Sequence, residues 1–108
     1  VMDKDKRMQV VMGLIMAGGN AKGSSIAAIQ AAKKGDFLAA EKNLTAANQA
    51  LNQAHNVQTE MLTQEAQGQK TPVDLYLVHA QDHLMTAIAF KDLAQEFVDV
   101  YKRIEENH

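Results

Sequence analysis

The sequence contains no cysteine and no tryptophan, and it has a single proline among its 108 residues. Without a thiol, the chain cannot form a disulfide, bind a metal through thiolates or use a cysteine nucleophile. The chain has 11 basic and 13 acidic residues, so its net charge is −2, and no basic block stands out. Because nucleic-acid binding depends on concentrated positive charge, we expect no nucleic-acid partner.

Long hydrophobic runs are also missing. The apolar, uncharged stretch over residues 10–21 is too short to span a bilayer and contains glycine and asparagine. A basic start before this stretch weakly imitates a secretory signal, but the same spacing of apolar residues continues as far as Ile29. We interpret the stretch as part of the folded domain, and we expect a cytoplasmic protein without direct membrane insertion.

The apolar residues make up 46% of the chain, which is enough for one core, and they recur at steps of three and four. This pattern predicts a single all-α domain over residues 1–108, with helices over about 4–34, 36–67 and 72–105. Gly35 followed by Asp36 is typical of a helix end joined directly to a new N-cap. The first two helices should therefore form an antiparallel hairpin within a three-helix bundle.

Two further local signals concern helix structure. Thr71, Pro72 and Asp74 suit the N-cap, N1 and N3 positions of the third helix. Gly18 and Gly19 lower helix propensity by about 1 kcal/mol each, so they predict either a close helix contact or a local distortion.

The third helix carries more apolar surface than two neighbouring helices require. Two adjacent stripes run along it, one formed by Phe90, Leu93, Phe97, Val100 and Ile104, and the other by Leu77, Gln81, Leu84, Met85 and Ile88. We expect the surplus face to be buried between subunits of a homo-oligomer. The alternative is an ordinary broad core.

The residues that suit chemistry lie together on the third helix. His79, Asp82, His83 and Thr86 occupy positions i, i+3, i+4 and i+7, which share one helix face. This face continues into an apolar stripe, so we expect the patch to be partly buried and the charge of Asp82 to need a partner or an ion. The other histidines are less informative, since we place His55 on the bundle side of the second helix and His108 is terminal.

Three hypotheses account for this patch. It is purely structural, or His79 and His83 bind a transition metal from successive turns, or His79 is a nucleophile that carries a phosphoryl group. In the last case Gln81, His83 or backbone donors would stabilise the transferred charge. Ala80 stands where a zinc protease needs its glutamate, and the inward glutamates of a di-iron bundle are missing.

Three segments of the sequence resemble a known family. They are residues 78–86 (VHAQDHLMT), residues 35–37 (GDF) and residues 54–59 (AHNVQT). Their order and spacing are similar to those of the IIA component of the lactose/cellobiose class of bacterial phosphotransferase systems. The segment over residues 12–23 looks more like the cellobiose and chitobiose branch than the lactose branch.

The resemblance implies a homotrimer of three-helix protomers and a function in the uptake of a β-linked disaccharide. It implies that His79 accepts a phosphoryl group from phospho-HPr and passes it to a cysteine of the cognate IIB component, itself associated with a membrane IIC. It assigns supporting roles to Gln81 and His83 and a weaker one to Thr86. It also implies that Asp82 from each subunit meets near the three-fold axis, where a divalent cation, best matched by magnesium, offsets the charges. A metal-binding or structural interaction protein is the alternative function.

Overall fold

Helices α1 (Lys4–Lys33), α2 (Phe37–Ala66) and α3 (Leu75–Glu106) account for nearly all of residues 4–107, which the computed structural model describes. Short connections reverse the chain twice, so that α2 runs antiparallel to α1 and α3 in a rod of 57 × 23 × 19 Å. Residues 4–107 contain no strand. The predicted all-α three-helix bundle is therefore confirmed. None of the described helices is both long and apolar enough to cross a membrane.

Both chain reversals begin at a glycine. Gly35 has a φ of +80° and Gly68 a φ of +90°, a region that is costly for residues with a Cβ atom. At the end of α1, the amide of Gly35 donates to the carbonyl of Ala32 and the amide of Asp36 donates to that of Ala31. The same pair of hydrogen bonds closes α2 at Gly68, and in both places it satisfies carbonyls that the helix leaves free. Asp36 then caps α2 as predicted, accepting a hydrogen bond from the amide of Ala39 at 3.1 Å.

The start of α3 differs from the prediction. The N-cap is Asp74, not Thr71, and the helix begins at Leu75, three residues later than expected. The Asp74 carboxylate accepts a hydrogen bond from the amide of Leu77 at 2.9 Å and pairs with Arg7 of α1 at 3.0 Å. Arg7 also donates to the carbonyl of Pro72 at 3.2 Å. The cap forms where one carboxylate meets both the helix amide and a cation of α1, and Pro72 stays outside the helix.

Helices α1 and α3 run parallel and come close to each other at Gly18 and His83. Arg7 meets Pro72 near the start of the two helices, and Gly18 meets His83 three turns further on. Both contacts join residues that are 65 positions apart in the sequence. One helical turn before the contact of Gly18 with His83, Leu14 of α1 therefore lies at about the same level as His79 of α3.

The core consists of two apolar clusters along the rod. Alanine makes up nearly half of the first cluster and most of the second, which allows the helix backbones to approach closely. The cluster near the start of α1 and α3 contains Val11, Leu14, Ala21, Ala47, Leu51, Ala54, Met61, Leu77, Ala80, Leu84 and Ala87. The other cluster contains Ala28, Ala32, Ala40, Leu44, Ala94 and Val98. Ser25 is buried on the α1 seam between them, and its hydroxyl has no hydrogen-bond partner in the described part of the chain.

Candidate functional site

Two histidines of α3 stack on each other one helical turn apart. The ring centroids of His79 and His83 are 5.9 Å apart and their planes differ by 19°. His79 is exposed, whereas His83 is half-buried. The pair therefore offers one imidazole that another macromolecule can reach and a second imidazole, more tightly packed, beside it.

Close approach of α1 fixes the position of His83. A Cβ atom on Gly18 would lie 2.8 Å from Cδ2 of the His83 ring and 3.2 Å from its carbonyl oxygen. A Cβ atom on Gly19 would lie 3.7 Å from Nε2 of the same ring. The predicted close contact at these glycines is confirmed, and α1 continues through them without a break. The sequence alone did not reveal that the contacted residue is His83.

The Gln81 amide points to a different helix. Its Oε1 accepts a hydrogen bond from Nε2 of Gln58 on α2 at 2.6 Å. The same Nε2 lies 3.5 Å from the sulfur of Met85. Because residues two positions apart on a helix face different directions, Gln81 and His79 do not come together within one chain. Gln81 instead ties α3 to α2 at the level of the histidine pair, a contact that sequence analysis missed.

Asp82 and Thr86 lie on the solvent side of α3. Both are exposed, and of the four patch residues only His83 is half-buried, so the predicted partial burial holds for His83 and is wrong for Asp82 in the single chain. The Thr86 hydroxyl donates to the carbonyl of His83 at 3.1 Å. Its role in the structure is thus a local bond to the backbone.

The described residues contain no group of three histidine, cysteine, aspartate or glutamate side chains that could hold a metal ion. His79 and His83 form a pair of imidazoles, and no third such side chain completes a site with them in the described chain. A metal centre contained within one chain therefore finds no support among residues 4–107.

Of the other two histidines, the structure describes only His55. His55 is exposed on α2, so its predicted position on the bundle side is wrong. It borders a groove between α2 and α3 together with Asn52 and Met85. His108 lies outside the described residues.

Comparisons with known proteins agree with this arrangement. The family model of the PTS system, Lactose/Cellobiose specific IIA subunit, matches residues 9–102. The chain is 56% identical to the cellobiose-specific EIIA component of Lactococcus lactis subsp. lactis (strain IL1403) over 101 residues, which cover 94% of this chain and 87% of that protein.

Solved structures show the same fold. The crystal structure of the PTS cellobiose specific enzyme IIA from Bacillus anthracis has a TM-score of 0.90 and 42% identity, covering 100% of this chain and 97% of the other. A IIA(Chitobiose)–HPr complex of the Escherichia coli phosphotransferase system has a TM-score of 0.78 and 41% identity, covering 91% and 95%.

The fold and the site define a small helical protein with an accessible histidine on its last helix. The chain belongs to the lactose/cellobiose IIA family of phosphotransferase systems.

Proposed function

We propose that this protein is the IIA phosphocarrier of a sugar phosphotransferase system and that His79 carries the phosphoryl group. The observation that supports this most directly is the exposed imidazole of His79 stacked on the half-buried His83. A phosphocarrier needs a nucleophile that two proteins can reach in turn, and it needs no enclosed pocket. The solved complex of a related IIA with HPr supports phospho-HPr as the donor.

The transfer consists of two displacements at phosphorus. A lone pair of a neutral imidazole nitrogen of His79 attacks the phosphorus of phospho-HPr, and the bond from phosphorus to HPr breaks, leaving its electron pair on HPr. A cysteine thiolate of the IIB component then attacks the same phosphorus, and the imidazole nitrogen leaves with the pair. His83 is held beside His79 by Gly18, and we infer that its ring stabilises charge on the transferred group.

The system context extends this proposal. The cognate IIB component is associated with a membrane IIC component that takes up a β-linked disaccharide, and the protein works in the cytoplasm. The similarity to a cellobiose-specific and a chitobiose IIA supports that branch of the family.

Incubation with phosphoenolpyruvate, the first phosphotransferase enzyme and HPr tests the role of His79. We expect one phosphoryl group per chain, stable in alkali and labile in acid, located on His79 by mass spectrometry under conditions that preserve phosphohistidine. His79→Ala should abolish the label. His83→Ala is the matched control, because it removes the other imidazole of the stack and should leave His79 labelled, though more slowly.

An unlabelled wild-type chain, or a label that persists in His79→Ala, would falsify the proposal. Metal binding or an adaptor function would then be favoured. A transition metal bound by His79 and His83 would be retained through gel filtration and lost when either histidine is replaced.

We further propose that the protein assembles as a homotrimer through the outer face of α3. Positions on this face follow one another at steps of three or four residues, close to the spacing of a coiled coil. They are Leu75, His79, Asp82, Thr86, Ala89, Leu93, Phe97, Val100 and Ile104. The five large apolar side chains among them are between 47% and 81% exposed in the single chain. From Leu93 to Ile104 these positions form an uninterrupted run of exposed apolar side chains, which is typical of a surface that is covered by a partner.

Asp82 lies on the same face of α3, on the N-terminal side of this apolar run, and in a trimer three copies of it would meet near the axis. A single chain supplies one carboxylate, so the donor set fits a cation only when subunits share it. Oxygen ligands favour magnesium over zinc. When bound, the cation would offset the three negative charges, and the phosphoryl transfer itself uses the histidine pair alone.

A further inference from the structure

The imidazole ring of His83 is held in place by packing and not by hydrogen bonds. Within residues 4–107, neither nitrogen of this ring takes part in a hydrogen bond or an ion pair. The hydroxyl of Thr86 bonds the carbonyl of His83 and not its ring. The ring stacks on His79 and lies against α1, so its position depends on the shape of the α1 surface beside it.

Two glycines of α1 accommodate one edge of this ring. The edge consists of the bonded atoms Cδ2 and Nε2. A Cβ atom on Gly18 would lie 2.8 Å from Cδ2 of His83, and a Cβ atom on Gly19 would lie 3.7 Å from Nε2. Gly18 is buried and Gly19 is exposed. The edge therefore runs from the interior of the bundle to its surface, with Nε2 at the outer end.

The two glycines contribute in different ways. Carbon atoms in contact are normally about 3.5–4.0 Å apart, so a methyl group at position 18, only 2.8 Å from Cδ2, would displace the His83 ring. The carbonyl oxygen of His83 would lie 3.2 Å from the same methyl group, which leaves little space on the backbone side. A methyl group at position 19 would make an ordinary contact at 3.7 Å, so the ring would stay in place and Nε2 would be partly covered.

We propose that Gly18 and Gly19 are positioning residues for phosphoryl transfer and that they act through His83. Gly18 provides the space in which the His83 ring lies beside His79. Gly19 leaves Nε2 of that ring free to donate a hydrogen bond to the phosphoryl group on His79. A donor that is in place before the transfer stabilises the charge without reorganisation. The inference rests on the function proposed above, and it adds the residues of α1 that prepare the site.

Gly18→Ala tests the position of the ring, and Gly13→Ala is its matched control. Both replace a glycine inside α1 with alanine, which has the higher helix propensity. A Cβ atom on Gly13 would meet nothing within 4 Å, so only the change at position 18 reaches His83. In proton–carbon correlation spectra, the ring resonances of His79 and His83 should move in Gly18→Ala and keep their wild-type positions in Gly13→Ala.

Labelling of His79 by phospho-HPr measures the effect on the transfer. We expect Gly18→Ala to lower kcat by about tenfold and to leave KM within about twofold of the wild-type value, because the lost hydrogen bond acts on the transferred group. Gly19→Ala should lower kcat by about threefold, since the ring keeps its place. Gly13→Ala should keep the wild-type kcat. If Gly18→Ala does not fold, Gly19→Ala carries the test alone.

The same changes in a His83→Ala background separate positioning from a general structural effect. If the glycines act only through the His83 ring, neither change should lower kcat further once the ring is removed. An equal loss in both backgrounds would overturn the proposal, and a wild-type kcat in Gly18→Ala or Gly19→Ala would overturn the role of that glycine. If wild-type His79 is not labelled at all, the proposed function itself is wrong, so the two failures are distinguishable.

Discussion

The hydroxyl of Ser25 is the residue-scale feature with the clearest energetic consequence. It is buried between the two apolar clusters of the core and lacks a hydrogen-bond partner in the described part of the chain. A buried hydroxyl without a hydrogen-bond partner lowers the stability of the folded state by about 1–3 kcal/mol, because its lost hydration is not replaced. Alanine has nearly the same shape, continues the alanine-rich seam and has a higher helix propensity.

Ser25→Ala should raise the free energy of unfolding by about 1 kcal/mol, measured by urea denaturation with two-state analysis. Ser24→Ala, at a less buried neighbouring position, should change it by a few tenths of a kcal/mol only. Destabilisation by Ser25→Ala would mean that a buried water binds the hydroxyl and that the serine is a structural ligand of that water.

Gly18 shows, at the same scale, what sequence can and cannot predict. Two adjacent glycines inside an apolar periodicity predict either a close helix contact or a local distortion, and the structure shows the close contact. Which helix approaches depends on the register of α1 against α3, and that register is set by packing of many side chains along the whole rod. The stacking of His79 on His83 follows from their spacing, whereas the half-burial of His83 depends on Gly18.

At the scale of helices, the start of α3 allows a test of which residue is the N-cap, because the two candidates, Thr71 and Asp74, lie three residues apart. Asp74→Ala removes the carboxylate that bonds the amide of Leu77 and pairs with Arg7. It should lower the free energy of unfolding by about 1–2 kcal/mol. Thr71→Ala should lower it by less than about 0.5 kcal/mol, since Thr71 precedes the helix and does not cap it.

Both variants would be measured by urea denaturation, and Arg7→Ala would complete a double-mutant cycle with Asp74→Ala. The ion pair is partly exposed, so its coupling energy should not exceed about 1 kcal/mol. Equal losses from the changes at Thr71 and Asp74 would contradict the observed cap.

The two helix starts explain why one cap was predictable and the other was not. Gly35 and Asp36 act within a few residues, through backbone bonds and a hydrogen bond to Ala39, so local sequence is sufficient. The choice of Asp74 over Thr71 depends in addition on Arg7, which is distant in the sequence. Local rules favour a threonine before a proline, and they contain no information on a cation supplied by another helix.

At the scale of the whole molecule, the outer face of α3 determines the proposed assembly. Sedimentation equilibrium of the wild type should give three protomers. Leu93→Glu combined with Phe97→Glu would place six carboxylates in the trimer interface and should shift the mass to that of the monomer. Leu62→Glu, an exposed site on α2, should leave the mass unchanged.

Asp82→Leu, unlike the glutamate substitutions, is expected not to weaken the trimer. It removes three like charges from the apolar axis, so the trimer should persist or become tighter, and its dissociation on dilution should not increase. A wild type that remains a stable monomer, or an Asp82→Leu variant that dissociates more readily, would contradict the assembly through α3.

The bundle itself was predictable because three long amphipathic segments joined by glycine turns leave few alternatives. Asp82 illustrates the limit of what the sequence predicts about burial. Its position on an apolar stripe is visible from spacing, and the prediction that it is partly buried fails for one chain because no other helix of that chain covers the stripe. Whether a polar residue on such a face is exposed to solvent or buried depends on the oligomeric state of the protein. The spacing of residues in the sequence carries no information on that state.

Because α1 and α3 run parallel, the two ends of the rod differ, and only one of them carries the histidine pair. His79 is the fifth residue of α3, so it sits at the pole where α1 and α3 both begin, while α3 runs on for 27 residues to Glu106. At 1.5 Å per residue, about 40 Å separate the imidazole from the opposite pole. A fluorophore or a surface tether placed at that distal pole would leave the imidazole pointing into free solution, so the rod is suited to immobilised binding measurements.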